Sequence, residues 1–100
     1  MDHDYFVYFL TDNNRSTLYI GVTNKLQTRL WQHRNPEQAS FTQRYHYIIL
    51  VHYEHFPEVL DAIAREKQLK GWTRAKKNAL IEAHNPRWED YRRIGCEPRG

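Results

Sequence analysis

Two short runs rich in β-forming residues, Tyr5 to Leu10 and Thr17 to Val22, flank the polar hexapeptide TDNNRS. Asp, Asn and Ser bond their own backbone in turns, so the segment reads as a β-hairpin. An isolated hairpin is marginal in water and needs a third strand or a covering helix. Tyr45 to Tyr53, aromatic and β-branched, supplies the third strand.

Helical signals fill the remaining gaps. Asn24 can cap a helix, with Gln27 three residues on as its capping-box partner. Leu26 and Leu30 then form an apolar stripe that Asn35-Pro36 stops near Arg34. A second helix is predicted from near Pro57 to Gly71, and a third from Thr73 as cap to just before Asn85-Pro86. The fold class is therefore α/β in the α+β sense, a small three-stranded, largely antiparallel sheet flanked by helices in the order β-β-α-β-α-α. The 100 residues predict one domain, with a core of about 5–86 and a polar tail over 87–100 whose Trp88 packs back on the domain.

Composition narrows the classes. One cysteine, Cys96, excludes an internal disulfide framework and a Cys-rich zinc site. The start MDHDYFVYFL has no basic segment ahead of its apolar run, so it is not a signal peptide, and no apolar run reaches the length of a membrane span. A soluble, cytoplasmic chain is expected. The net charge of +3 permits a polyanionic partner without demanding one. Its distribution says more: Arg65, Lys67, Lys70, Arg74, Lys76 and Lys77 surround a lone acid, Glu66. Such a run reads equally as a solvated helix face or as a set of phosphate contacts.

Five side chains fit a packing account poorly. Arg29 and His33 stand four apart, one above the other beside the apolar stripe of the first helix. Glu66 falls three residues from both Ile63 and Leu69, where the pattern Val59, Ala62, Ile63, Leu69 expects a core residue. Two readings of Glu66 stand: a carboxylate rotated outward and paired with Lys70 at i,i+4, or one held to bind a hard divalent cation. Tyr8 and Tyr19 lie mid-strand, and Tyr19 is followed by Ile20 and Gly21, a glycine that signals a bulge or a close backbone approach. His3, His46, His52, His55 and His84 show no metal-ligand spacing.

Together, Phe6-Val7-Tyr8, Tyr19-Ile20-Gly21, the Leu26, Arg29, Leu30, His33 helix and Glu66 resemble the GIY-YIG nuclease superfamily over roughly residues 5 to 86. The stretches from Arg65 to Trp72 and from Asn85 to Trp88 look like its small stand-alone bacterial members. Two positions depart from the pattern: Phe6 stands where the motif name has glycine, and Val22 where some members carry a lysine after the triplet. The resemblance implies a divalent-metal-dependent endonuclease hydrolysing DNA phosphodiester bonds, with structure-specific cleavage and a role in DNA repair.

The resemblance further implies Glu66 as the one protein ligand to Mg²⁺ or Mn²⁺. Arg29 would stabilise the transition state, and Tyr19 would orient or deprotonate the attacking water with help from Tyr8 and His33. Gly21 would shape the site together with the family's late asparagine, for which Asn85 is the first candidate and Asn78 the second. Lys67, Lys70, Arg74, Lys76 and Lys77 would bind the nucleic acid. A monomer is expected, with targeting supplied by a protein partner. The alternative is a nucleic-acid-binding module with weak or absent turnover; a pure protein-interaction domain is a third, less favoured class.

Overall fold

A computed structural model of the chain describes residues 4–34 and 49–91, except for the side chains of 32–34. Three strands, β1 (Tyr5–Thr11), β2 (Leu18–Thr23) and β3 (Ile49–Phe56), form one antiparallel sheet in the order β2-β1-β3. Among the described residues three helices accompany it: α1 (Leu26–Arg34), α2 (Val59–Lys70) and α3 (Arg74–His84). The predicted order and the α+β class are what the structure shows. The predicted strand residues Tyr45 to Ile48 lie outside the described residues, and β3 runs on past Tyr53 because Phe56 still pairs with Tyr5.

The hairpin turn is built by one side chain. Asp12 accepts from the Ser16 N–H at 2.8 Å and the Ser16 hydroxyl at 2.6 Å, while its carbonyl accepts from the Arg15 N–H at 3.0 Å. These local bonds close the β1–β2 connection and set its register, Thr11 opposite Leu18.

Because strand side chains alternate, β1 buries both faces. Val7 and Phe9 join Ile20, Val51, Ala62, Leu69 and Ile81 beneath α2 and α3. Phe6, Tyr8 and Leu10 join Leu50 and the two α1 leucines, Leu26 and Leu30, on the opposite face. A helix of nine residues is too short to persist alone. Burial of two leucines, roughly 1.5–3 kcal/mol each, is what holds α1 to the sheet.

The caps divide between expectation and correction. Thr73 caps α3, accepting from the Lys76 N–H, as predicted. Ahead of α1, where Asn24 is the predicted cap, the Thr23 hydroxyl accepts from the Lys25 N–H at 3.0 Å, and the Lys25 carbonyl accepts the first helical bond from Arg29. Val59, assigned to the apolar stripe of α2, is exposed at its first turn, and burial begins at Ala62.

The expected tail begins as part of the domain. Trp88 is buried, and the Tyr91 N–H donates to the Leu50 carbonyl at 2.9 Å, extending the outer side of β3. Asn85 makes this possible. Its amide donates to Val51 O at 3.1 Å and Glu89 O at 2.8 Å, and its oxygen accepts from the Glu89 N–H at 3.0 Å.

Candidate active site

The site on the α1 face starts from the register of β1 and β2, which sets Tyr8 directly across from Gly21. The Tyr8 ring crosses toward β2 so closely that a Cβ on Gly21 would lie 2.5 Å from its hydroxyl and 2.6 Å from Cζ. The glycine of the Tyr19-Ile20-Gly21 triplet is therefore the seat of the Tyr8 hydroxyl. Period-two alternation brings Tyr19 to the same face as Gly21, with its ring centroid 6.2 Å from that of Tyr8.

Tyr8 is 0% exposed. Burial pushes its phenol up to about 12, Tyr19 adds to the rise, and the Arg29 guanidinium partly offsets both. Tyr8 is thus a neutral hydroxyl at any ordinary pH. Arg29 itself is exposed, so its charge stands at the open rim of this face. His33 continues the same helix one turn on; its side chain lies outside the described residues.

Glu66 is placed differently. It stands on α2, which packs over β1 and β2 on the opposite face from α1. Its side chain is only 16% exposed, so the pattern-breaking acid does sit on the covered side of its helix. It pairs with Lys70 Nζ at 3.1 Å across one turn. The carboxylate is ion-paired with Lys70 as the first reading has it, yet it is not rotated out to solvent. Among the described residues Lys70 is its polar partner, and β2, an edge strand of the sheet, separates it from Tyr19 and Arg29.

The basic run does not act as one surface. Lys67 and Lys70 are exposed. Arg74 has its guanidinium committed, donating to Asn78 Oδ1 at 2.9 Å, Ser16 O at 3.0 Å and Arg15 O at 3.4 Å, and it lies over the Trp88 ring. It ties α3 to the hairpin turn, and this is also where Asn78 spends its side chain. Arg65 grips Glu54 of β3 with two bonds, at 2.8 and 3.1 Å, and shares the Trp72 ring with Lys76. Lys77 is half-buried.

Sequence reasoning passed over the cluster at β3. His52 and Glu54 alternate onto one face, a signal legible in their i,i+2 spacing, and they bond at 2.9 Å. Burial alone would raise the Glu54 carboxyl, but the bonds from His52 and Arg65 outweigh it and pull it down to about 2.

No group of three or more His, Cys, Asp and Glu side chains able to hold a metal occurs among the described residues. A cage made of protein ligands alone is therefore not formed by them. A magnesium-type ion keeps most of its waters and takes one or two carboxylates plus substrate phosphates. The lone, largely covered Glu66 carboxylate fits that donor set.

Residues 4–79 match the GIY-YIG catalytic domain. The chain belongs to the GIY-YIG family. Tyr8, Tyr19, Gly21, Arg29 and Glu66 all fall inside the matched residues, as does Asn78, whereas Asn85 lies beyond them. A UPF0213 protein of Haloquadratum walsbyi is 32% identical over 80 residues, covering 80% of this chain and 90% of the relative. One from Bacillus pumilus is 36% identical over 80 residues, covering 80% and 81%. One from Clostridium perfringens is 35% identical over 86 residues, covering 86% and 91%. The solution NMR structure of a UPF0213 protein from Bacillus halodurans shares the fold, with a TM-score of 0.58 at 23% identity over 94% of this chain and 99% of that one. No helix among the described residues is long and apolar enough to cross a membrane.

Proposed function

We propose that this GIY-YIG chain is a divalent-metal-dependent endonuclease that hydrolyses DNA phosphodiester bonds. The observation that carries the reading is that Tyr8, seated on Gly21, has Tyr19 and the Arg29 guanidinium beside it on one face of the sheet. Interaction alone requires no such set.

Each residue has a part that its surroundings suit. Arg29, charged and at the rim, meets the scissile phosphate and stabilises the negative charge that builds on it. Tyr8, held protonated, donates a hydrogen bond and removes no proton. Tyr19, half-buried beside it, orients the attacking water, and the His33 imidazole takes its proton. Glu66 would hold Mg²⁺ or Mn²⁺, which would supply charge neutralisation for the reaction. This assignment has Glu66 acting around the edge strand β2. Gly21 and Asn85 keep the frame in shape. Lys67, Lys70, Lys76 and Lys77 supply phosphate contacts, whereas Arg74 has its donors already engaged. Choice of target comes from a protein partner.

The second reading, a nucleic-acid-binding module without efficient turnover, is favoured by one observation: the Lys70 ammonium already neutralises Glu66. Incubation of the purified protein with branched, nicked and single-stranded DNA, with and without Mg²⁺ or Mn²⁺, separates the two. Metal-dependent cutting that disappears in Glu66→Gln and in Arg29→Ala is the expected result. Cutting that survives both substitutions sinks the catalytic assignment, and salt-sensitive binding without cutting selects the second reading.

A further inference from the structure

A cleft of about 400 Å³ opens at the outer edge of β3, lined by His52, Tyr53, Glu54, His84 and Tyr91. It wraps around the edge strand: His52 and Glu54 rise from the face covered by α2 and α3, while Tyr53 and Tyr91 belong to the tyrosine-bearing α1 face. Tyr53 sits opposite Tyr8 in the register, and Tyr8 opposite Gly21. The cleft is thus about 10 Å from Gly21, two strand spacings along one row. That is within the reach of a single nucleic-acid strand.

Its walls are aromatic. The Tyr53 and Tyr91 rings meet edge to face at 5.5 Å, and the His84 and His52 rings lie 5.8 Å apart. Its one carboxylate, that of Glu54, is an acceptor. Glu54 already receives Arg65 Nε, Arg65 Nη2 and His52 Nε2, leaving about one of a carboxylate's four lone-pair sites. His52 is 4% exposed and bonds Glu54 through its Nε2. The nearby cation, Arg65, is turned to Glu54 and Gln68. A phosphate would meet an ionised carboxylate here, whereas a flat heterocycle carrying an amino group would find aromatic walls and a carboxylate acceptor.

We propose that this cleft takes an unpaired nucleobase bearing an exocyclic amine, cytosine or adenine, from the strand held at the tyrosine face. The inference rests on the nucleic-acid reading above and names what that site selects. Stacking on aromatic rings gives sequence-tolerant affinity, and a carboxylate accepting from an exocyclic amine gives the choice of base.

The test uses neutral nucleosides, so that phosphate binding on the basic helices plays no part. In ¹⁵N-labelled protein, cytidine and adenosine at millimolar concentration are expected to shift the His52 and His84 imidazole resonances, and uridine to do so at least tenfold more weakly. His84→Ala and Tyr91→Ala, checked for folding by circular dichroism, are expected to weaken the His52 response to cytidine about tenfold. Equal responses to cytidine and uridine, or none, overturn the proposal. Cleavage is measured separately on the same samples. Cutting without a cleft response ends the base-selection proposal and leaves the nuclease reading standing; a selective cleft response in a protein that cuts nothing does the reverse.

Discussion

The Tyr8 hydroxyl fills the space a side chain on Gly21 would need, with the would-be Cβ 2.5 Å from the oxygen and 2.6 Å from Cζ. Both atoms matter, because the clash belongs to the ring as much as to its hydroxyl. Gly21→Ala is expected to destabilise the fold by about 1–3 kcal/mol, the usual cost of overpacking, and to abolish activity by displacing Tyr8. Adding Tyr8→Phe leaves Cζ in place and should not restore stability, whereas Tyr8→Leu should restore part of it. Urea unfolding of the three variants checks this, and recovery by Phe would show that the hydroxyl alone is the obstacle.

Tyr8 is also the source of an alkaline limb. Its pKa is raised from 10.0 to about 12, so below pH 10 it is protonated whether folded or unfolded and adds no pH dependence. Between pH 10 and about 12 only the unfolded chain releases this proton, so stability falls as the pH rises, on the order of 2–3 kcal/mol in all. Tyr8→Phe should lack this part of the loss, measured as the difference in unfolding free energy between pH 9 and pH 11.5 for the two proteins.

The Glu54 carboxyl behaves in the opposite sense. It is lowered from 4.5 to about 2, so the stability it contributes is complete above pH 4.5 and disappears as the pH falls toward 2. The span corresponds to something on the order of 3 kcal/mol. Glu54→Gln is expected to be less stable at pH 6 and to lose little more on going to pH 3. Denaturant titrations at those two values read the difference, and parallel acid sensitivity in the two proteins would place the proton uptake elsewhere.

Asn85 is a clamp whose loss should be felt in stability before chemistry. Its three side-chain bonds join the end of α3 to β3 and to Glu89. Asn85→Ala leaves buried partners unmatched and should cost about 2–4 kcal/mol, at roughly 1 kcal/mol or more per bond. Thermal melting measures it. A variant that melts like the parent but no longer acts on DNA would move Asn85 from the frame into the chemistry.

Arg74 provides a check on how the basic run is used. Its bonds to the carbonyls of Arg15 and Ser16 make it a tie between α3 and the hairpin. Arg74→Ala should lower the melting temperature while leaving the salt dependence of DNA binding near its parent slope. Lys67→Ala, at an exposed cation, should reduce that slope by about 1 and leave melting unchanged. Filter binding over a range of salt reads both.

Much of the architecture was legible because its causes are local. The hairpin follows from Asp12 and its neighbours within four residues, the start of α3 from Thr73, and its end from Asn85-Pro86. Of the candidate site, the residue types and the i,i+2 and i,i+4 spacings could be read, and these already pointed to Tyr8, Tyr19, Gly21, Arg29 and Glu66.

What the chain could not disclose by itself is decided between residues far apart in it. The pairing register that lays Tyr8 over Gly21 is a sum over the whole β1–β2 interface and not a property of either strand. The register shift in β3, which pairs Phe9 with His52 and Leu10 with Leu50, sets the cleft at the sheet edge. Whether a cation is available depends on carbonyls such as Ser16 O, 58 positions from Arg74. The face on which Glu66 stands follows from how α2 lies on the sheet. Spacing along the chain specifies which side chains share a face of one element; only packing specifies which faces meet.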